Sequence, residues 1–150
     1  MIVVVQRVLD ASVEINGTIT ARSGPGLLVL AGIERLDCDE DIDWLTKKLV
    51  NLRIFDDEQG VMNKSVKDIN GDILVVSQFT LQASTRKGNR PSYINAAPPE
   101  LAVPVYNKFV TELSSYFEKE VLTGEFGADM KIGLVNDGPV TIVIDSKNKK

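Results

Sequence analysis

The sequence predicts an α+β fold, a mainly antiparallel β-sheet or partial barrel covered by two helices, and three observations carry that expectation. The first third alternates short β-branched runs with turn signals. Two later segments repeat apolar residues at spacings of three and four, and the last third returns to strands. At 150 residues the chain is the size of one domain, 1–150, able to bury roughly two thirds of the surface its unfolded form exposes.

The start reads as a meander: a strand over Ile2–Val8, a second over Ser12–Ile15, the hairpin signal Asn16-Gly17, a return strand Thr18–Ala21, a break at Gly24-Pro25-Gly26 and a buried strand Leu27–Ile33. Asp37 with Glu40 three residues later makes a capping box for a helix whose apolar face is Ile42, Leu45, Leu49 and Leu52. A strand at Arg53–Phe55, an acidic turn at residues 56–60 and an irregular stretch to Gly71 lead to a strand Ile73–Phe79. Pro98-Pro99-Glu100 opens the second helix, with Leu101, Val105, Phe109, Leu113 and Phe117 as its stripe and Pro104 tolerated near the first turn. Strands follow at Val121–Glu125, Lys131–Val135 and Val140–Asp145, with Asn136-Asp137-Gly138-Pro139 as the hairpin loop of the last pair. The Lys-rich tail 146–150 reads as a frayed end.

Composition narrows the chemistry. With 43% hydrophobic and 25% charged residues the chain is globular. Its longest apolar run, Gly26 to Ile33, falls far short of the ~20 residues of a membrane helix. With no signal-peptide layout either, the expectation is a cytoplasmic protein without membrane association. One cysteine, Cys38, excludes an internal disulfide. There is no histidine, which removes the usual catalytic triads, the usual zinc ligand sets and the usual base at neutral pH; neither metal nor cofactor is expected. The net charge of −4 argues against a broad nucleic-acid footprint, so such a ligand would be gripped locally.

Four segments can carry function. Ser77-Gln78-Phe79-Thr80 lies where a strand runs into a loop, so hydroxyls and backbone N–H groups can converge on a ligand; equally, such hydroxyls can merely satisfy a strand end. A covalent Ser or Thr enzyme needs a partner base, and none is evident. Phe126-Gly127-Ala128-Asp129-Met130 offers a flat base an aromatic, close backbone and a thioether, or simply packs its own loop. Gly138-Pro139 joins a residue that permits close approach to one that fixes φ, which also describes an ordinary turn. Arg86, Lys87 and Arg90, with Tyr93 nearby, form a basic loop that is either solvated or a phosphate grip.

Taken together and in order, from Val5-Gln6-Arg7-Val8 through Ser77-Gln78-Phe79-Thr80-Leu81, Lys87-Gly88-Asn89-Arg90-Pro91-Ser92 and Phe126 to Met130, to Asn136-Asp137-Gly138-Pro139-Val140-Thr141, the chain resembles the D-aminoacyl-tRNA deacylases. That resemblance implies a hydrolase of D-aminoacyl-tRNA esters, and of glycine mischarged on tRNA, with the aminoacylated 3′ end of tRNA as partner. It implies a homodimer in which Gly138 and Pro139, across a cis peptide, reach the partner subunit's pocket beside Ser77, Gln78, Phe79 and Thr80. Rejection of L-esters would follow by exclusion. Arg7 is implied to hold the Gly-Pro element, and Phe126, Gly127, Ala128 and Met130 to take the terminal adenosine. The 2′-OH of the terminal ribose is implied to assist attack on the ester, with N–H groups near Phe79 and Thr80 on the oxyanion and Thr80 as a positioning group. The alternatives are a non-catalytic module that binds the acylated RNA 3′ end, and an esterase for small esters using Ser or Thr.

Overall fold

The computed structural model describes residues 1–149. Strand β1 (Ile2–Ile15) is one continuous strand where two were expected. Val3, Val5, Ala11 and Val13 all point inward, and the outward-facing pair Leu9-Asp10 marks the bend between its halves rather than a break. Its first half pairs antiparallel with β3 (Gly26–Gly32) and its second with β2 (Thr18–Ser23). The β1–β2 turn is Asn16-Gly17, both with positive φ (51° and 78°), as the dipeptide foretold.

After β3 the chain forms helix α1 (Asp39–Asn51), the short strands β4 (Phe55–Asp56) and β5 (Met62–Lys64), and then β6 (Asp72–Ser77). Strand β5 falls in the stretch expected to be irregular, and β4 starts later than the expected strand. The α1 crossover lets β6 lie parallel to β3, and α2 (Pro99–Phe117) does the same for β7 (Leu122–Thr123) beside β6. The sheet is therefore mixed, in the order β2-β1-β3-β6-β7, while β8 (Lys131–Asp145) runs along the other edge of β1. Leu27, Val29, Ile73 and Val75 of the two central strands face the helices; Leu28, Leu74 and Val76 join a smaller cluster on the opposite face with Val8, Ala11 and Val13. Burial on both faces explains why these strands read as unbroken apolar runs.

Three local expectations change. The capping pair of α1 is Cys38 and Asp41, with the Cys38 N–H donating to Asp41 Oδ2 at 2.9 Å, because Asp37 is occupied by the Met1 ammonium and the Glu34 N–H. In α2 the buried residues are Ala102, Tyr106, Phe109, Leu113 and Phe117. A strict four-residue stripe drifts around a 3.6-residue helix, which leaves Leu101 48% exposed. The tail is not frayed at its start: Ser146 is buried, its hydroxyl accepts from the Met1 ammonium at 2.9 Å, and Lys147 pairs with Asp41. Lys150 lies outside the described residues.

Residues 136–139 are not the expected hairpin tip, because the flanking segments pair with β1 and not with each other. Register passes from Gln6↔Thr141 to Val8↔Asn136, so β8 carries a large bulge, residues 137–140, opposite Arg7. Gly138 sits there at φ +123°, joined to Pro139 by a cis peptide. Among the described residues no helix is long and apolar enough to cross a membrane.

Candidate functional site

A cavity of about 570 Å³ opens at the C-terminal ends of β3 and β6, within the range of roughly 300–1,000 Å³ usual for small-molecule sites. Ser77, Gln78 and Phe79 form one wall; Phe126, Gly127, Ala128, Asp129 and Met130 form another. Two segments almost fifty residues apart thus face a common space.

The first wall is built where β6 ends. Ser77 is the last residue in register with β3, opposite Ala31, and the Gln78 N–H donates to the Ala31 carbonyl at 2.8 Å. Residues Phe79–Gln82 then turn as a short 3₁₀ helix. Its first hydrogen bond runs from Leu81 N–H to the Gln78 carbonyl, so the N–H groups of Phe79 and Thr80 precede the helical ladder and have no acceptor within it. They are available to an anionic oxygen. Gln78 Nε2 donates to Thr80 Oγ1 at 2.6 Å, and Gln82 Nε2 to the Gly32 carbonyl at 3.0 Å. The turn nests directly on the end of β3. A Cβ on Gly32 would stand 2.8 Å from Leu81 Cβ and 2.9 Å from the Gln78 carbonyl oxygen.

Phe126 packs edge-on against Tyr106, centroids 5.6 Å apart, and buried Tyr106 donates its hydroxyl to the Val75 carbonyl at 3.1 Å, on the strand that runs into the Ser77 wall. Burial pushes the Tyr106 hydroxyl up to about 12, so it stays a donor at any physiological pH. Gly124 makes room for Met130, since a Cβ there would lie 2.5 Å from its sulfur.

Arg7, Gly138 and Pro139 assemble elsewhere. Arg7 is 7% exposed. Its Nη1 donates to the Ile54 carbonyl at 2.6 Å and its Nε to the Asp137 carbonyl at 3.1 Å, with the Asp137 carboxylate at 3.3 Å. The guanidinium therefore ties the β8 bulge to the segment after α1, and a Cβ on Gly138 would come within 3.0 Å of Arg7 Nη2. Gly138 and Pro139 are exposed and do not line the cavity of their own chain, nor does Thr80. The sequence reading missed Ala31, Ala97 and Ala102, whose small side chains leave the cavity its volume. Small apolar residues carry no signal in a single sequence.

Comparisons agree on the whole chain. Residues 4–145 match the family described as D-Tyr-tRNA(Tyr) deacylase. Proteins called D-aminoacyl-tRNA deacylase from Flavobacterium psychrophilum and Bacteroides fragilis are each 63% identical over 150 residues, covering 100% of both chains. Among solved structures, a c-Myc DNA unwinding element binding protein is 42% identical at TM-score 0.93, covering 97% of this chain and 98% of its own. A probable eukaryotic D-amino acid tRNA deacylase has TM-score 0.82 at 17% identity, covering 95% and 97%, which speaks for the fold alone.

Proposed function

Since the chain belongs to the D-Tyr-tRNA(Tyr) deacylase family and is a hydrolase acting on ester bonds, we propose that it releases D-amino acids, and mischarged glycine, from tRNA in the cytoplasm, as a proofreading homodimer. The observation that carries this reading is the shared cavity of the Ser77–Phe79 wall and the Phe126–Met130 wall. The second wall takes the terminal adenosine, and the ester then lies against the first.

The chemistry follows from what the wall offers. Phe79 and Thr80 present N–H groups outside the helical ladder, where they stabilise the oxyanion as the ester carbonyl is attacked. Among the described residues no carboxylate or lysine hydrogen-bonds the Ser77 or Thr80 hydroxyl, so the neighbouring 2′-OH of the terminal ribose assists, and the RNA takes part in its own deacylation. Thr80 is engaged with Gln78 Nε2 at 2.6 Å and acts as a positioning group.

Chirality is set across the subunit interface. Strand β8 is an exposed edge carrying Val135 and Val143, 48% and 67% exposed, the kind of edge that soluble proteins cover. Its bulge bears Gly138 and Pro139, accessible to a second copy. Seated beside the partner's Ser77–Thr80 wall, their carbonyls meet the substrate ammonium and leave no space for an L side chain, while a D side chain points away; glycine has none to exclude.

The test is turnover of D-Tyr-tRNA with enzyme well below substrate. Repeated turnover, kept largely by Thr80→Ala and lost when the terminal ribose lacks its 2′-OH, is expected. Stoichiometric protection of the ester would favour the binding module, and a trapped acyl-Thr80 would replace the 2′-OH step.

A further inference from the structure

A second surface adjoins the cavity mouth and is unused by the chemistry above. Phe79 lends its backbone to the site, yet its ring is 56% exposed. It meets Tyr93, itself 41% exposed, edge to face at 5.1 Å and 68°. Beside them Ile94 is 74% exposed. Two aromatic rings left in water next to a cavity are a stacking platform without an occupant.

The loop above this pair is basic and closed. Ser84 and Ser92 exchange both backbone hydrogen bonds, at 2.7 and 2.9 Å, so residues 85–91 form the tip of a hairpin whose base ends beside Tyr93. That tip carries Arg86, Lys87 and Arg90. From Ile73 to Pro99 the sequence contains no Asp or Glu, although the whole chain has net charge −4. Among the described residues none of the three cations takes part in an ion pair. Positive charge is thus concentrated where acidic residues are missing, next to the aromatics.

We infer that this face binds the unpaired nucleotides immediately preceding the terminal adenosine of the tRNA substrate, bases against Tyr93 and Phe79 and phosphates at Arg86, Lys87 and Arg90. It rests on the deacylase reading and extends the bound RNA beyond one nucleoside. The pairing of aromatic faces with cations is what single-stranded RNA requires, and it reads no sequence because every base has a π-face. A second protein chain fits less well, since three unpaired cations crowded on one short loop tip call for a polyanion, whereas the edge of β8 with exposed Leu134, Val135 and Val143 offers such a chain apolar surface.

The experiment compares three D-tyrosyl esters, of adenosine, of the trinucleotide cytidylyl-cytidylyl-adenosine and of full tRNA, on wild type, Tyr93→Ala and the triple variant R86S/K87S/R90S. For both variants kcat/KM falls about tenfold on the trinucleotide and the tRNA, the equivalent of ~1.4 kcal/mol, and stays unchanged on the adenosine ester. The triple variant also flattens the salt dependence of the trinucleotide reaction. Equal loss on all three esters, loss accompanied by dissociation of the protein in sedimentation, or no loss on any, overturns this binding face alone. If the wild type hydrolyses none of the three, the deacylase reading falls and takes this inference with it.

Discussion

Arg7→Met keeps an unbranched side chain of similar reach in the β1 position and removes only the charge and the donors. The native guanidinium serves two backbone carbonyls, Ile54 at 2.6 Å and Asp137 at 3.1 Å, from a site 7% exposed. Hydrogen bonds from a charged donor contribute about 1.5–3 kcal/mol each, and part of that is offset because methionine need not be desolvated as a cation. The net expectation is a loss of about 2–4 kcal/mol, or a Tm lowered by roughly 6–15 °C for a domain of this length. Activity should fall further, about a hundredfold, because the β8 bulge loses its anchor and a displacement of about 1 Å is enough for that. Asp137→Asn is the control. Its carboxylate is 43% exposed at 3.3 Å from Nε, and the main-chain carbonyl that Arg7 holds is untouched, so the change should stay below about 1 kcal/mol. Thermal unfolding and deacylation rates on the same preparations decide it. An Arg7→Met protein within about 1 kcal/mol of wild type and fully active, or an Asp137→Asn protein equally damaged, would refute the view that the guanidinium works by gripping backbone.

Gly32→Ala should lower kcat/KM about tenfold or more with a Tm change of only a few degrees, because the new methyl meets Leu81 Cβ at 2.8 Å and the Gln78 carbonyl at 2.9 Å and must lift the turn that forms the first wall; steady-state kinetics beside a melting curve separate the two effects. Tyr106→Phe should cost about 1 kcal/mol through the lost bond to the Val75 carbonyl. Burial keeps the native hydroxyl protonated up to about pH 12, while the unfolded one ionises near 10. The folded state therefore binds more protons in that window and wild-type stability falls as pH rises through it, a slope the Phe variant lacks in denaturant titrations. Burial alone would raise Asp41, but the Lys147 ammonium and the Cys38 N–H outweigh it and hold the carboxyl well below its usual range. Its stabilisation is present above the unfolded value near 3.9 and is lost as pH falls below it, so Asp41→Asn should be less stable at neutral pH and less acid-sensitive when melting is followed between about pH 5 and 2.

The sequence was most informative where local chemistry decides the outcome. Asn16-Gly17 specified its turn, the apolar run Leu27–Ile33 announced a buried strand, and the α2 stripe was right in its C-terminal half. The wall residues Ser77, Gln78 and Phe79 and the loop from Phe126 to Met130 were legible as motifs and do share a cavity. What stayed hidden depends on pairing at a distance. Residues 136–139 look like a hairpin turn because Asp-Gly-Pro usually is one; only the pairing of both flanks with β1 makes them a bulge. Glu40 looked like the partner of a cap because nothing local reveals that Asp37 is claimed by Met1, thirty-six residues away in sequence. The alanines that hollow out the cavity were invisible for the same reason: their role is the space beside them.

Side-by-side deacylation of D-Tyr-tRNA and L-Tyr-tRNA decides whether this ester hydrolase accepts one hand of the amino acid and excludes the other. With enzyme well below substrate and a chelator present, rapid multiple turnover of the D-ester and persistence of the L-ester are expected. Loss of both esters at similar rates would contradict selection by exclusion.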